Sequence, residues 1–501
     1  MNPVEGLIFG LESALTPELL LAALVGALAG TVIGVLPGLG PVAGAALVLP
    51  LTFSMSPIVG IVMIAAIYVG SMYGGSTTAV LLNMPGEAAS VMTAVDGHAM
   101  AKKGRAGAAL SVMAIGSFIA GAIGVILVTF FSPLLSGVGL LFGPAEYLAL
   151  VAGGLLALAR VSGGSPASGF LPMIVGVMLG TLGQEAITST FRYTLNVPEM
   201  ALGIDLVPVG IGLFGIAELL LLVENPSRSA RPTSVRLREL MPTRAEWRDA
   251  VPAWGRGSAV GFLFGLLPGP SATLSSFASY RLEKSVARNR ANLGSGAVEG
   301  VAGPEAANNA AAVGGLVPLL SLGMPFSATF ALVISAMEVQ GIEPGPLLIE
   351  DNPEIFWSLI GTMFVANMML LVLNLPLVSV WVQLLRIPKQ LLFPAIVVIA
   401  AIGCYSVRNS LLDVYTLAAM GAVGYLLRKL SFTLAPFVLG LVLGPLVEKH
   451  LREGLFLSRG DFGYFVQRPI AAALWLLVAV VLFGGGIWRL VTRSRRASTP
   501  A

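Results

Sequence analysis

The sequence predicts an all-α polytopic membrane protein built from two inverted structural repeats with broken or re-entrant helices. Three observations predict it. The first is composition: of 501 residues, 56% are hydrophobic and 11% charged, with mean hydropathy +0.88. A soluble chain carries roughly 25% charged residues, so this much apolar surface needs the bilayer as its solvent. The second is a duplicated break. Gly26, Gly30 and Gly34 recur every four residues and run into Pro37-Gly38-Leu39-Gly40-Pro41. Gly257, Gly261 and Gly265 run into Pro268-Gly269-Pro270, with each position 231 residues after its counterpart. A single GxxxG marks helix packing; a glycine ladder, a break and a copy of both mark a ligand site between two halves. The third is loop charge. Residues 52–57 carry none, whereas the matching loop of the second half has Arg281, Lys284, Arg288 and Arg290. Later the bias reverses: Lys102, Lys103 and Arg105 in the first half face Glu338, Glu343, Glu350, Asp351 and Glu354 in the second. Basic loops favour the cytoplasm, so equivalent loops lie on opposite sides, as inversion requires.

In chain order, apolar runs fall near 17–36, 41–53, 57–73, 106–131, 145–159, 166–182 and 208–223. The polar stretch 224–249 follows, with Arg228, Arg231, Arg236, Arg238, Arg244 and Arg248. The second half has runs near 251–267, 271–280, 307–323, 327–337, 355–382, 391–405, 411–427, 433–447 and 470–491. A full span needs about 20 residues. The shorter runs read as re-entrant or discontinuous, which is tolerable where protein or a water-filled cavity covers the backbone. The expected division is a first repeat over 1–224, a basic cytoplasmic linker over 225–250, a second repeat over 251–492 and a tail over 493–501. Two more anchors support the duplication. Leu82-Asn83-Met84-Pro85 resembles Leu322-Gly323-Met324-Pro325 at an offset of 240, and the Pro172–Gly180 segment resembles Pro436–Gly444 at an offset of 264. One feature disagrees: strict inversion puts the C-terminus outside, yet Arg489, Arg493, Arg495 and Arg496 favour the inside.

Several classes are excluded. No basic face with interleaved aromatics supports nucleic-acid binding, and the net charge is only +3. The single Cys404 rules out a disulfide framework or cysteine cluster, and two histidines, His98 and His450, rule out a histidine-rich metal site. Glu5 and Glu12, with no basic residue before the first apolar run, argue against a cleavable signal peptide. Tyr73-Gly74-Gly75-Ser76 lacks the spacing of a phosphate loop, so no ATP site is expected.

A polar ligand at membrane depth needs hydrogen-bonding groups away from bulk water, and helix N-termini supply donors. Gly38, Gly40, Gly269 and Ser271 sit where new helices are expected to begin. Ser76, Thr77, Thr78 and Asn83 add polar groups in the first half; Asn308, Asn309, Ser327 and Thr329 do so in the second. The alternative is that these groups satisfy broken backbone or join helices. Glu305 lies in an apolar context before Asn308-Asn309. An acid at membrane depth is costly and often functional. It reads either as a holder of Na⁺, with Asn309, or of a proton, or as a loop residue after Pro304 capping the next helix. Glu87, after Pro85-Gly86, carries the same alternatives.

Three longer motifs add to the two Leu-Pro-Gly breaks. They are Tyr73-Gly74-Gly75-Ser76-Thr77-Thr78 leading to Leu82-Asn83-Met84-Pro85-Gly86-Glu87; Asp96-Gly97-His98 with Gly104-Arg105-Ala106-Gly107; and Glu299-Gly300-Val301-Ala302-Gly303-Pro304-Glu305-Ala306-Ala307-Asn308-Asn309-Ala310. Over about residues 16 to 450 the chain resembles the large membrane subunit of tripartite tricarboxylate transporters, the TctA family. The resemblance implies a bacterial inner-membrane secondary transporter, not an enzyme, that takes up citrate-like carboxylates by cation symport and alternating access. It implies two partners, a small membrane subunit (TctB-like) and a periplasmic solute-binding protein (TctC-like). No cofactor is implied beyond Na⁺ or H⁺ as coupling ion. Two positions depart from the family pattern: Gly303 stands where alanine is usual, and the bulky Phe326 where a small residue is usual, near the expected substrate site. The alternatives are an intramembrane enzyme, for which no Ser–His or metal constellation is evident, and an anion channel.

Overall fold

Proline sets the start of many of these helices. It lacks the N–H that the first turn cannot use, and its fixed φ suits that position. Pro3, Pro17, Pro57, Pro144, Pro166, Pro353 and Pro469 each open a helix. The computed structural model describes residues 1–36, 40–162, 165–185, 190–224, 239–384 and 389–497. In chain order the helices are α1 (Pro3–Ala14), α2 (Pro17–Val35), α3 (Gly40–Thr52), α4 (Pro57–Leu82), α5 (Val91–Lys102), α6 (Ala106–Gly139), α7 (Pro144–Val161), α8 (Pro166–Gly180), α9 (Leu206–Gly210) and α10 (Ala217–Glu224). The second half continues with α11 (Arg244–Gly265), α12 (Ser271–Val286), α13 (Glu299–Gly314), α14 (Leu316–Leu322), α15 (Ala328–Val339), α16 (Leu348–Asp351), α17 (Pro353–Asn374), α18 (Val378–Leu384), α19 (Lys389–Arg408), α20 (Leu411–Lys429), α21 (Ala435–Leu457), α22 (Tyr464–Gln467) and α23 (Pro469–Ala497). Six of them, α2, α4, α6, α7, α17 and α20, are long and apolar enough to cross a membrane. Among the described residues, strand structure is confined to one small hairpin, with β1 (Gly183–Gln184) antiparallel to β2 (Phe191–Arg192). The protein is thus an all-α, multi-pass membrane protein. Most of the expected basic linker, with Arg228, Arg231, Arg236 and Arg238, lies outside the described residues, as does Gly38.

Helix ends differ from the apolar runs where polar residues stay helical. α4 runs past the expected end at 73 through Gly74-Gly75-Ser76-Thr77-Thr78 to Leu82. The hydroxyls of Thr77 and Thr78 donate back to the carbonyls of Tyr73 and Gly75, so the polar turn satisfies itself inside the helix. α13 begins at Glu299, eight residues before its expected start, and Pro304 sits within it. α11 begins at Arg244 on a capping box, in which Thr243 accepts from the Glu246 amide and the Glu246 carboxylate accepts from the Thr243 amide.

The chain packs as two units, each drawing on both halves of the sequence. One comprises residues 1–140 and 205–426; the other comprises 141–204 and 427–501. In the larger unit the two ladders pack in the same way. A methyl on Gly26, Gly30 or Gly34 of α2 would collide with the backbone carbonyl of Met63, Ile67 or Ser71 of α4. A methyl on Gly257, Gly261 or Gly265 of α11 would collide with the carbonyl of Gly303, Ala307 or Ala311 of α13. The residues met in the second half lie 240 after those met in the first. Bare glycine faces thus let each helix pair touch backbone to backbone.

The same offset governs the Met-Pro anchors. α4 ends on Asn83 and α14 on Gly323, both left-handed (φ 56° and 66°). The amides of Met84 and Met324 then bond the carbonyls of Thr78 and Pro318. Glu87 and Ser327 follow in matching extended conformations before the next helical turn.

In the smaller unit, α8 and α21 cross through Gly176 and Gly440. A methyl on Gly176 would meet the Phe437 carbonyl, and one on Gly440 the Met173 carbonyl. The two contacts exchange under the offset of 264. Ala145, Leu148, Ala149, Phe465 and Ala471 form the core beside them.

Candidate functional site

Glu305 is the centre of the site. It lies seven residues into α13, so it does not cap a helix after Pro304: Pro304 is itself interior, and the loop reading is overturned. The Glu305 side chain is 0% exposed. Its Oε2 accepts from Ser76 Oγ of α4 at 2.8 Å and from Thr93 Oγ1 of α5 at 2.9 Å. Its Oε1 accepts from Ser117 Oγ of α6 at 3.1 Å and from Asn309 Nδ2 of α13 at 3.3 Å. Asn309 Nδ2 also reaches Ser117 Oγ at 2.8 Å, so the serine accepts from one group and donates to the other. Four helices therefore converge on one carboxylate, and each of its oxygens takes two bonds.

The chemistry of this donor set is specific. An ionised carboxylate accepts only. Its burial costs several kcal/mol unless donors or a cation compensate. Hydrogen bonds to a charged group contribute about 1.5–3 kcal/mol each. The four donors are neutral, so they solvate the charge without cancelling it. When ionised, such a carboxylate is an anionic centre that attracts a cation or proton.

The remaining sequence candidates fall into three sets. Ser76, Glu305 and Asn309 are brought together directly, and Asn308 lies beside them, its Nδ2 3.2 Å from Glu87 Oε1. A second set is spent on backbone: Thr77 bonds its own helix, and Ser327 Oγ accepts from the Phe330 amide as the cap of α15. A third set lies at helix ends. Gly40 (φ +59°) opens α3, Asn83 is an exposed C-cap, and Ser271 opens α12 with its amide on the Gly269 carbonyl. Gly269 (φ +136°) donates its amide to the Phe326 carbonyl at 3.1 Å, which ties the second break to the second Met-Pro anchor. In the first half Gly86, the counterpart of Phe326, donates its amide to the Gly75 carbonyl of α4 at 3.3 Å.

Sequence reasoning missed Thr93, between Ser90 and Asp96, and Ser117, a single hydroxyl in an apolar run. It also missed Asn367 of α17, whose Oδ1 accepts from Tyr73 OH at 2.8 Å while its Nδ2 donates to the Phe118 carbonyl. Asp96, quoted as part of a motif, is a buried clamp. It accepts the amides of Gly294, Gly296 and Ala297 and the Tyr280 hydroxyl, fixing the loop before α13 to α5. His98 lies on α5 with Nδ1 3.0 Å from the Val80 carbonyl.

A helical multi-pass membrane protein with a buried carboxylate shared by both halves of its sequence is the class that fold and site define. The chain belongs to the tripartite tricarboxylate transporter TctA family, whose pattern it matches over residues 20–439. It is therefore a subunit of a transport system. It is 45% identical over 475 residues to an uncharacterized 52.8 kDa protein of the TAR-I ttuC' 3' region in Agrobacterium vitis, covering 95% of this chain and 94% of the relative. It is 51% identical over 214 residues to an uncharacterized protein of the TAR-II ttuC' 3' region in the same organism, covering 43% of this chain and 88% of the relative. No solved structure matches it.

Proposed function

We propose that this chain is the membrane-spanning subunit of a binding-protein-dependent secondary transporter in the bacterial inner membrane. It takes up tricarboxylates or related citrate-like carboxylates by symport with Na⁺ or H⁺. The observation that carries the reading is Glu305, a fully buried acid solvated by four neutral donors from four helices. Such a group is costly at membrane depth and is retained where a cation or proton must be held. The anion would sit between the two breaks, near Gly38, Gly40, Ser76 and Asn83 of one half and Gly269, Ser271, Asn308 and Asn309 of the other. Glu305 and Asn309 would hold the coupling ion.

Alternating access by two inverted repeats is part of the same reading. It is supported by the matched glycine ladders, the matched Met-Pro anchors and the exchanged α8–α21 contact. The partners would be a small TctB-like membrane subunit and a TctC-like periplasmic solute-binding protein. The acidic stretch from Glu338 to Glu354 is the candidate docking surface for the latter.

The test is uptake of radiolabelled di- and tricarboxylates by proteoliposomes holding the chain, with each partner present or omitted. Uptake of a tricarboxylate that requires the loaded binding protein supports the reading. Equal uptake without any binding protein overturns the dependence, and conversion of the substrate to a product overturns the transport assignment.

A further inference from the structure

Asn308 and Asn309 are consecutive, yet each turns its amide nitrogen to a different acid. Asn309 serves Glu305; Asn308 serves Glu87, which comes from the first half of the chain. A carboxylate only accepts, so each amide must present its NH₂ to the acid, which fixes where its oxygen points. Both amide oxygens, Asn308 Oδ1 and Asn309 Oδ1, are buried and accept no hydrogen bond from any described group. Asn308 is 0% and Asn309 1% exposed. A buried acceptor left without a partner is costly, and two on adjacent residues beside two carboxylates share one remedy. Oxygens of this kind replace the hydration shell of an alkali cation.

Glu87 is free for such a role. Its counterpart in the second half, Ser327, has nearly the same backbone (φ −138°, ψ 157° against φ −147°, ψ 165°) and uses its side chain to cap the following helix. Glu87 makes no side-chain cap. Its stem instead lies against the bare face of Gly75, and its carboxylate reaches Asn308. The duplication has been broken here, and a charge stands where the other half has a hydroxyl.

We propose that Glu87 and the Asn308 side-chain oxygen form a second site for a monovalent alkali cation, separate from the Glu305–Asn309 site, so that two cations accompany each carboxylate. This rests on the transport reading above and goes beyond it in number and place.

The test is equilibrium binding of ²²Na⁺ to the purified full-length chain, beside thermal unfolding of each variant. Wild type is expected to bind two Na⁺ per chain, and Glu87→Gln and Glu305→Gln one each. Asn308→Ala is expected to weaken one of the two sites on the order of tenfold, the loss of a bond to a charged group. It reads the same site should Glu87→Gln fail to fold. A single Na⁺ in wild type that survives Glu87→Gln overturns the proposal and leaves the transport reading standing, as does a loss of both sites or of neither in Glu87→Gln. No Na⁺ bound in wild type, with uptake driven by a proton gradient, likewise overturns only this proposal. No uptake under either gradient overturns both.

Discussion

Asn83 shows how one residue can carry two roles that a single substitution would confuse. It ends α4 in the left-handed conformation, and its side chain is exposed rather than bonded within the helix. Alanine at this position would strain the backbone by about 1–2 kcal/mol, so a defect in Asn83→Ala reports on both the cap and the ligand site. Glycine separates them, because Gly323 already fills the equivalent cap in the second half. With Asn83 as a substrate ligand, Asn83→Gly keeps its melting temperature and loses carboxylate affinity on the order of 10-fold to 100-fold, the equivalent of about 1.5–3 kcal/mol. Wild-type affinity in Asn83→Gly would leave Asn83 as a cap alone. The measurement is equilibrium substrate binding beside thermal unfolding.

At the scale of the element, the ladders make a sharper statement about packing than their sequence does. A methyl on Gly34 or Gly261 would overlap the carbonyl oxygen of Ser71 or Ala307, and a backbone oxygen cannot swing aside. Overpacking of this kind costs about 1–3 kcal/mol. Gly255 lies on the same helix as Gly261 with nothing within 4 Å of its missing methyl. Gly261→Ala is therefore expected to lower the melting temperature and the yield of folded protein. Gly255→Ala is expected to leave them unchanged or raise them slightly, since alanine is the better helix former by about 0.8–1 kcal/mol. Equal behaviour of the two variants in a thermal-unfolding assay would contradict the backbone contact.

The same elements show what was legible in the sequence. The ladders, breaks and Met-Pro anchors were readable because each depends on glycine or proline, whose backbone constraints appear as spacing. Glu305 stood out as an acid in an apolar context, and Ser76 and Asn309 as members of polar clusters. Thr93 and Ser117 did not, because their importance comes from the angle at which α5 and α6 meet Glu305, which no local pattern records. The end of α4 was misplaced for a related reason. Gly74–Thr78 has the composition of a loop, and it stays helical only because its hydroxyls bond their own backbone and neighbouring helices bury it.

For the whole molecule, the charge pattern makes a prediction about sidedness. Lys103 donates to the Ser295 carbonyl, in the loop that also carries Arg288 and Arg290, so the basic ends of both halves meet on one side. Single cysteines at positions 103 and 288, in a Cys404→Ser background, should react with impermeant reagents only from the cytoplasm, and one at Asp351 only from the periplasm. Labelling of 103 and 288 from opposite faces would contradict the inverted arrangement.

Coupling through Glu305 is the central claim, and gradient-driven accumulation tests it most directly. Proteoliposomes containing the chain and its two partners are given an inward Na⁺ gradient, or an inward proton gradient, with labelled tricarboxylate and loaded binding protein outside. The account predicts accumulation above the external concentration under one of these gradients. It also predicts that Glu305→Gln, which keeps the shape of the side chain but removes its charge and turns one of its two accepting oxygens into an amide donor, lowers that accumulation at least about tenfold, the effect of losing about 1.4 kcal/mol of cation binding, in a protein that still folds. Equilibration without accumulation in wild type, or accumulation by Glu305→Gln equal to wild type, would contradict it.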